Sequence, residues 1–190
     1  EEMVKTAVKT AEGQALDINL RSNQHPSEKE YMDMVTGKTA HYLTVPMVGG
    51  AIVANREDII SHLIEFGSYI GPAFQIIDDV IDLTEGKGRG EIGRDVKEGK
   101  RSILVVHCLT CCSEEEREKL LEILNKQPDD TTDEDVQYTK SLFEKYGSIE
   151  YAKERANQLK EKAMNSIKKT PDELHEILEF FAEYLIKRRK

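Results

Sequence analysis

From Ile149 onward apolar residues recur at steps of three and four: Ile149, Ala152, Ala156, Leu159, Ala163 and Ile167, then Leu174, Ile177 or Leu178, Phe181 and Leu185. That spacing lines one side of a helix and predicts two amphipathic helices. Cap signals punctuate the chain elsewhere. Ser27 is followed by Glu30, Ser113 by Glu116, and Thr170-Pro171-Asp172-Glu173 reads as a third capped start. Gly147-Ser148 closes one helix and opens the next. There is no β alternation and no hairpin series, so the chain reads as all-α. Helices are expected near residues 1–23, 27–54, 57–83, 98–111, 114–126, 133–146, 148–168 and 171–187. A glycine-rich loop from Glu85 to Gly93 and a polar linker from Gln127 to Asp135 separate them.

One run breaks the apolar rule. In Phe74-Gln75-Ile76-Ile77-Asp78-Asp79-Val80-Ile81-Asp82-Leu83, three carboxylates sit among residues that otherwise ask for burial. At about 100° per residue, Asp78, Asp79 and Asp82 fall within roughly 100° of arc and project from one face. Left without a counter-charge, they repel along the helix and are costly to remove from water. A hard divalent cation answers that cost. Magnesium in particular is held by one or two carboxylates together with phosphate oxygens and water. The competing reading is a solvated acidic helix edge, against which the flanking Phe, Ile, Val and Leu weigh.

Length and composition narrow the setting. The 190 residues suit one all-α domain over 1–190 with a real core. Hydrophobic residues at 38% and charged residues at 33%, with no Trp, favour a soluble helical protein, and no apolar run has the length of a membrane span. The net charge of −9 argues against broad nucleic-acid binding, which needs Lys and Arg against phosphates. A phosphorylated substrate would instead need local cations, and Lys38, Lys87, Lys97, Lys100 and Arg101 lie near the aspartates in sequence. Cys108, Cys111 and Cys112 form an odd set that suits a reducing, cytoplasmic compartment better than a disulfide framework. With His107 they have metal-ligand chemistry, but the preceding Ile103-Leu104-Val105-Val106 favours a structural helix. Glu1 and Glu2 stand where a signal peptide has its basic start.

Three short motifs accompany the aspartates: Gly13-Gln14-x-x-Asp17, Gly37-Lys38-Thr39-Ala40, and Gly93-x-Asp95-x-x-x-Gly99-Lys100. In this order and at these separations they resemble the trans-isoprenyl diphosphate synthases of the polyprenyl synthetase family, which make geranylgeranyl, farnesyl and longer diphosphates. The resemblance runs over essentially the whole chain. It implies an isoprenoid synthase-type helical bundle around a central apolar cavity, and a homodimer.

By that resemblance Asp78, Asp79 and Asp82 are the second of two aspartate-rich motifs and hold Mg2+ against an allylic diphosphate. Lys38 and Lys100 match lysines that contact the diphosphate. Lys87 serves with them only across a reshaped loop, because Gly90 stands where the family commonly has its lysine, and Ser102 follows without the usual proline. Thr39 and Gln75 match groups facing the reacting centre. Read without the motif, Lys38 and Thr39 are ordinary surface residues and Gln75 a buried helix contact. The implied reaction condenses isopentenyl diphosphate with an allylic diphosphate to give a longer polyprenyl diphosphate. The family's first aspartate motif and its isopentenyl diphosphate elements have no counterpart here, so the chain is expected to be the C-terminal part of the enzyme, lacking the N-terminal helices and inactive by itself. A noncatalytic regulatory subunit of a heteromeric synthase is one alternative, weakened by the retained Asp78, Lys38, Gln75 and Lys100. A terpene cyclase of the same fold is another, weakened by the pattern around Lys38 and Lys100.

Overall fold

The computed structural model describes residues 2–85 and 92–188. All regular structure among the described residues is helical: α1 Glu2–Leu20, α2 Glu28–Val35, α3 His41–Val53, α4 Ile60–Thr84, α5 Arg94–Lys97, α6 Ile103–Cys111, α7 Glu114–Leu124, α8 Asp133–Lys145, α9 Ser148–Ser166 and α10 Asp172–Lys187. Among the described residues no helix is long and apolar enough to cross a membrane.

Two of the three expected caps form. The Glu30 amide donates to Ser27 Oγ at 3.2 Å while the Ser27 amide donates to Glu30 Oε2 at 2.8 Å, and Ser113 with Glu116 makes the same reciprocal box ahead of α7. Thr132 and Asp135 add a further box at α8. The third expectation fails. Thr170 is buried and its hydroxyl donates back to the Ile167 carbonyl at 2.7 Å, so α10 has Pro171 at its N-cap and no side-chain cap.

Two boundaries also differ. The helix expected over 98–111 starts only at Ile103, because Gly99 adopts φ +66°, outside the helical region, and Ser102 is extended. The short α5 precedes this break. The helix expected over 27–54 is interrupted by a π-helical turn, Thr36–Ala40, between α2 and α3. The glycine-rich loop, with Lys87, lies largely outside the described residues.

The chain forms two compact units. One comprises the chain up to Ala15, Asp33–Gln75 and Arg155–Arg188. Its buried residues include Phe66, Ile70 and Ala73 of α4, Ala156, Leu159 and Ala163 of α9, and Leu178, Ala182 and Leu185 of α10. Leu178 is buried whereas Ile177 is 64% exposed, which selects between the two registers that spacing left open. Lys160 and Glu183 join α9 to α10 at 2.6 Å.

The other unit holds Leu16–Met32 and Ile76–Glu154. There α6 is buried on nearly every side, through Ile103, Leu104, Val105, Val106, Cys108 and Leu109. Cys108 and Cys111 in α6 and Cys112 at its end are free thiols, and burial pushes the Cys108 thiol up to about 12. His107 stacks on Tyr151 with ring centroids 4.1 Å apart, and its Nδ1 lies 3.0 Å from Ser148 Oγ. Hence α6 is a packing element of this unit.

Arg101 is the largest fully buried side chain, at 1% exposure. Its guanidinium donates to the Asn23 carbonyl at 3.0 Å, the Gly99 carbonyl at 2.8 Å and Asn125 Oδ1 at 2.8 Å, and reaches the Leu124 carbonyl at 3.5 Å. Burial lowers its pKa to about 10, which still leaves it charged at neutral pH. The sequence-based expectation that Arg101 could meet a phosphate is therefore corrected: its donors are spent on the protein interior, where each unmet acceptor is costly. Arg101→Met is expected to destabilise the protein by about 3 kcal/mol or more in urea unfolding, and to lower the melting temperature by roughly 6–12 °C.

Candidate active site

α4 carries the aspartates through a largely buried stretch: Ile76, Ile77, Val80, Ile81 and Leu83 are all buried, and Phe74, Gln75 and Asp78 are half-buried. Asp79 and Asp82 are buried with them, at 6% and 2% exposure, and Asp78 is half-buried. A carboxylate in such a place needs donors. Tyr31 Oη donates to Asp79 Oδ2 at 2.8 Å, and the Asp95 backbone amide donates to Asp82 Oδ2 at 2.9 Å. The Tyr31 phenol is driven well above its ordinary pKa, first by burial and then by the Asp79 charge, so it remains a donor.

After the loop the chain is tied back to the same helix. The Gly93 amide donates to the Asp82 carbonyl at 2.8 Å, and α5 follows at once. Asp95 then serves two neighbours: its amide holds Asp82, and its buried carboxylate forms an ion pair with Lys100. Glu98 Oε2 lies 3.4 Å from the same ammonium. The spacing Gly93-x-Asp95-x-x-x-Gly99-Lys100 thus brings a lysine to the flank of Asp82 through one shared residue. Lys97, another cation noted in the sequence, pairs with Asp133 at 3.0 Å.

Lys38 and Thr39 sit, half-buried, in the π-helical turn. Such turns widen the helix by one residue and recur at functional sites. Thr39 Oγ1 donates to Gln75 Oε1 at 3.2 Å, so two residues singled out from sequence meet. Two glycines hold the turn from either side. A Cβ on Gly13 of α1 would lie 2.7 Å from Gly37 C and 2.8 Å from Lys38 Cα, and one on Gly71 of α4 would lie 2.9 Å from Ala40 N. Beside the turn, in the same unit, is a cavity of about 300 Å³ lined by Ala40, Thr44, Val45, Val48 and Ile64, with His41 and Lys9 also on its wall.

Tyr31, Gly71 and the double role of Asp95 escaped the sequence reading. Gly67 and Gly71, four apart in an apolar helix, were a readable sign of close approach; nothing around Tyr31 marks it. Among the described residues no group of three or more His, Cys, Asp or Glu side chains is arranged to hold a metal ion by itself. Asp79 and Asp82, at 6% and 2% exposure, turn an oxygen to Tyr31 and to the Asp95 amide, and Asp78 is the half-buried carboxylate of the three.

The family model described as Polyprenyl synthetase matches residues 1–143 of the chain. The chain belongs to the polyprenyl synthetase family. It is 32% identical over 188 residues to a geranylgeranyl diphosphate synthase of Sulfolobus acidocaldarius, covering 95% of this chain and 56% of the relative. It is 37% identical over 154 residues to a short chain isoprenyl diphosphate synthase of Methanothermobacter thermautotrophicus, covering 79% and 46%. The solved geranylgeranyl pyrophosphate synthetase of Pyrococcus horikoshii matches with a TM-score of 0.84 at 32% identity, over 99% of this chain and 57% of that one. The chain spans about half the length of these polyprenyl synthetase relatives.

The glycine contacts supply a test of how the π-helical turn is held. Gly13→Ala is expected to cost roughly 1–3 kcal/mol in thermal unfolding, since only backbone lies in the way of the added methyl. Gly49→Ala, which faces open space within α3, is expected to stabilise by about 0.5–1 kcal/mol.

Proposed function

We propose that this chain carries the diphosphate-binding machinery of a prenyltransferase that condenses isopentenyl diphosphate with an allylic diphosphate. The observation that carries the reading is the burial of Asp79 and Asp82, with Asp78 beside them, in an apolar helix whose neighbours supply oriented donors. The names of the relatives support it, since they are geranylgeranyl and short chain isoprenyl diphosphate synthases.

Asp78, Asp79 and Asp82 would hold Mg2+, which when bound supplies positive charge to a leaving diphosphate. By the family resemblance Lys38, Lys100 and Lys87 would contact the diphosphate, so that negative charge developing on the leaving oxygen would meet ammonium charge. Lys100 exchanges its partners Asp95 and Glu98 for phosphate oxygen in doing so. Thr39 and Gln75, already hydrogen-bonded, present oxygen dipoles to the allylic cation left behind. Attack by the double bond of isopentenyl diphosphate and loss of one proton complete a five-carbon extension. The cavity along Ala40, Val45, Val48 and Ile64 would take part of the hydrocarbon chain.

The decisive measurement is condensation of the two diphosphates by protein containing this chain with magnesium present. Asp78→Ala is expected to lower turnover about 10²-fold or more, and Lys38→Ala to weaken binding of the allylic diphosphate in calorimetry. Turnover unchanged in Asp78→Ala would rule the assignment out.

A further inference from the structure

We propose that the cavity between the first half of α4 and the end of α9 is a second anion site, which binds a small soluble phosphate, free or as a monoester. It lies toward the opposite end of α4 from the aspartates, and neither they nor a metal enters the proposal. The cavity holds about 480 Å³, within the range of small-molecule sites, and its lining belongs to one compact unit. Lys162, Lys168 and Lys169 line it, against the single carboxylate of Glu65. Among the described residues Lys168 and Lys169 form no ion pair or hydrogen bond. Lys162 has the Tyr69 ring, also in the lining, with its Nζ 5.9 Å from the ring centroid.

This gathering runs against the rest of the chain. With 36 acidic residues against 27 basic, lysines elsewhere find carboxylates, as Lys9, Lys97, Lys126, Lys145 and Lys160 do. The dipole at the C-terminal end of α9 favours a cation there, but it does not require three around one hollow. Like charges so placed repel until an anion enters. The hollow itself is held by the fold. The Ser166 carbonyl can only accept, so His62 Nδ1 carries the proton and donates to it at 3.0 Å, tying α4 to α9. Leu63 and Phe66 of α4, Ala163 of α9 and Ile167 after it are buried beside the lining residues, so the lysine stems leave a fixed backbone. Three ammonium groups less one carboxylate leave about two positive charges, which match a phosphate monoester of about −1.5 to −2 near neutral pH. A carboxylate ligand would meet only half of that charge.

Calorimetric titration of the full chain with inorganic phosphate, and separately with glycerol 1-phosphate, tests this in metal-free buffer at low salt. One saturable site per chain is expected for each, weakened by added salt as the charges are screened. Lys168→Gln and Lys169→Gln are each expected to weaken binding about tenfold. Glu65→Gln is expected to tighten it about threefold, a gain that damage to the fold cannot imitate. All three replaced side chains are exposed, so the variants retain the core. Absence of saturable binding overturns the proposal, as does binding indifferent to Lys168, Lys169 and Glu65. Binding lost in Lys38→Ala but kept in Lys168→Gln places the anion at the site of the proposed condensation and overturns it too. Vesicles containing phosphatidic acid supply a last arm: retention on them, with neither soluble phosphate bound, assigns the lysines to a lipid surface and rejects a soluble ligand. Prenyl transfer is not measured in any arm, so the outcome stands apart from the function proposed above.

Discussion

Burying charge in an apolar helix is the constraint from which this site is built. Asp79 and Asp82 are themselves buried on α4, at 6% and 2% exposure, so each carboxylate must find donors within the protein or be neutralised. Tyr31 and the Asp95 amide answer part of that demand, one oxygen for each aspartate. The same region ties the chain after the loop back to α4, through the Gly93 amide on the Asp82 carbonyl and the short α5.

Backbone proximity plays the corresponding part for Lys38 and Thr39. The π-helical turn that bears them has no side-chain cap, and its position is set by Gly13 and Gly71, whose missing side chains let two helices approach its backbone. Each methyl added there meets main chain and not a side chain that can swing aside. Close backbone packing thus sets where the turn lies, and the turn carries the Thr39 hydroxyl to within hydrogen-bond distance of Gln75.

The cations divide by what surrounds them. Arg101 and Lys100 are adjacent in sequence, yet Arg101 gives its donors to interior carbonyls while Lys100 stays half-buried against Asp95 and Glu98. A guanidinium suits the first task because its planar fork reaches several fixed acceptors at once. A flexible ammonium suits the second, since it can change partners without disturbing the core. Asp95 connects these assignments to the aspartates, holding Lys100 by its carboxylate and Asp82 by its amide.

Local pattern was enough for much of this protein. The apolar steps of α9, the boxes at Ser27 and Ser113, and the α8 to α9 break at Gly147 are all readable because helix period and end-capping act over a few residues. The order of the motifs likewise pointed to the polyprenyl synthetase family. Tertiary structure alone decided what depends on distant partners. It paired Tyr31 with Asp79, turned Thr170 back to Ile167, buried Arg101, chose Leu178 over Ile177, and opened a helix into a π-helical turn at Lys38. Helical period is a property of neighbouring residues, whereas the donors of a buried charge and the closest approach of two backbones belong to whatever the fold brings alongside.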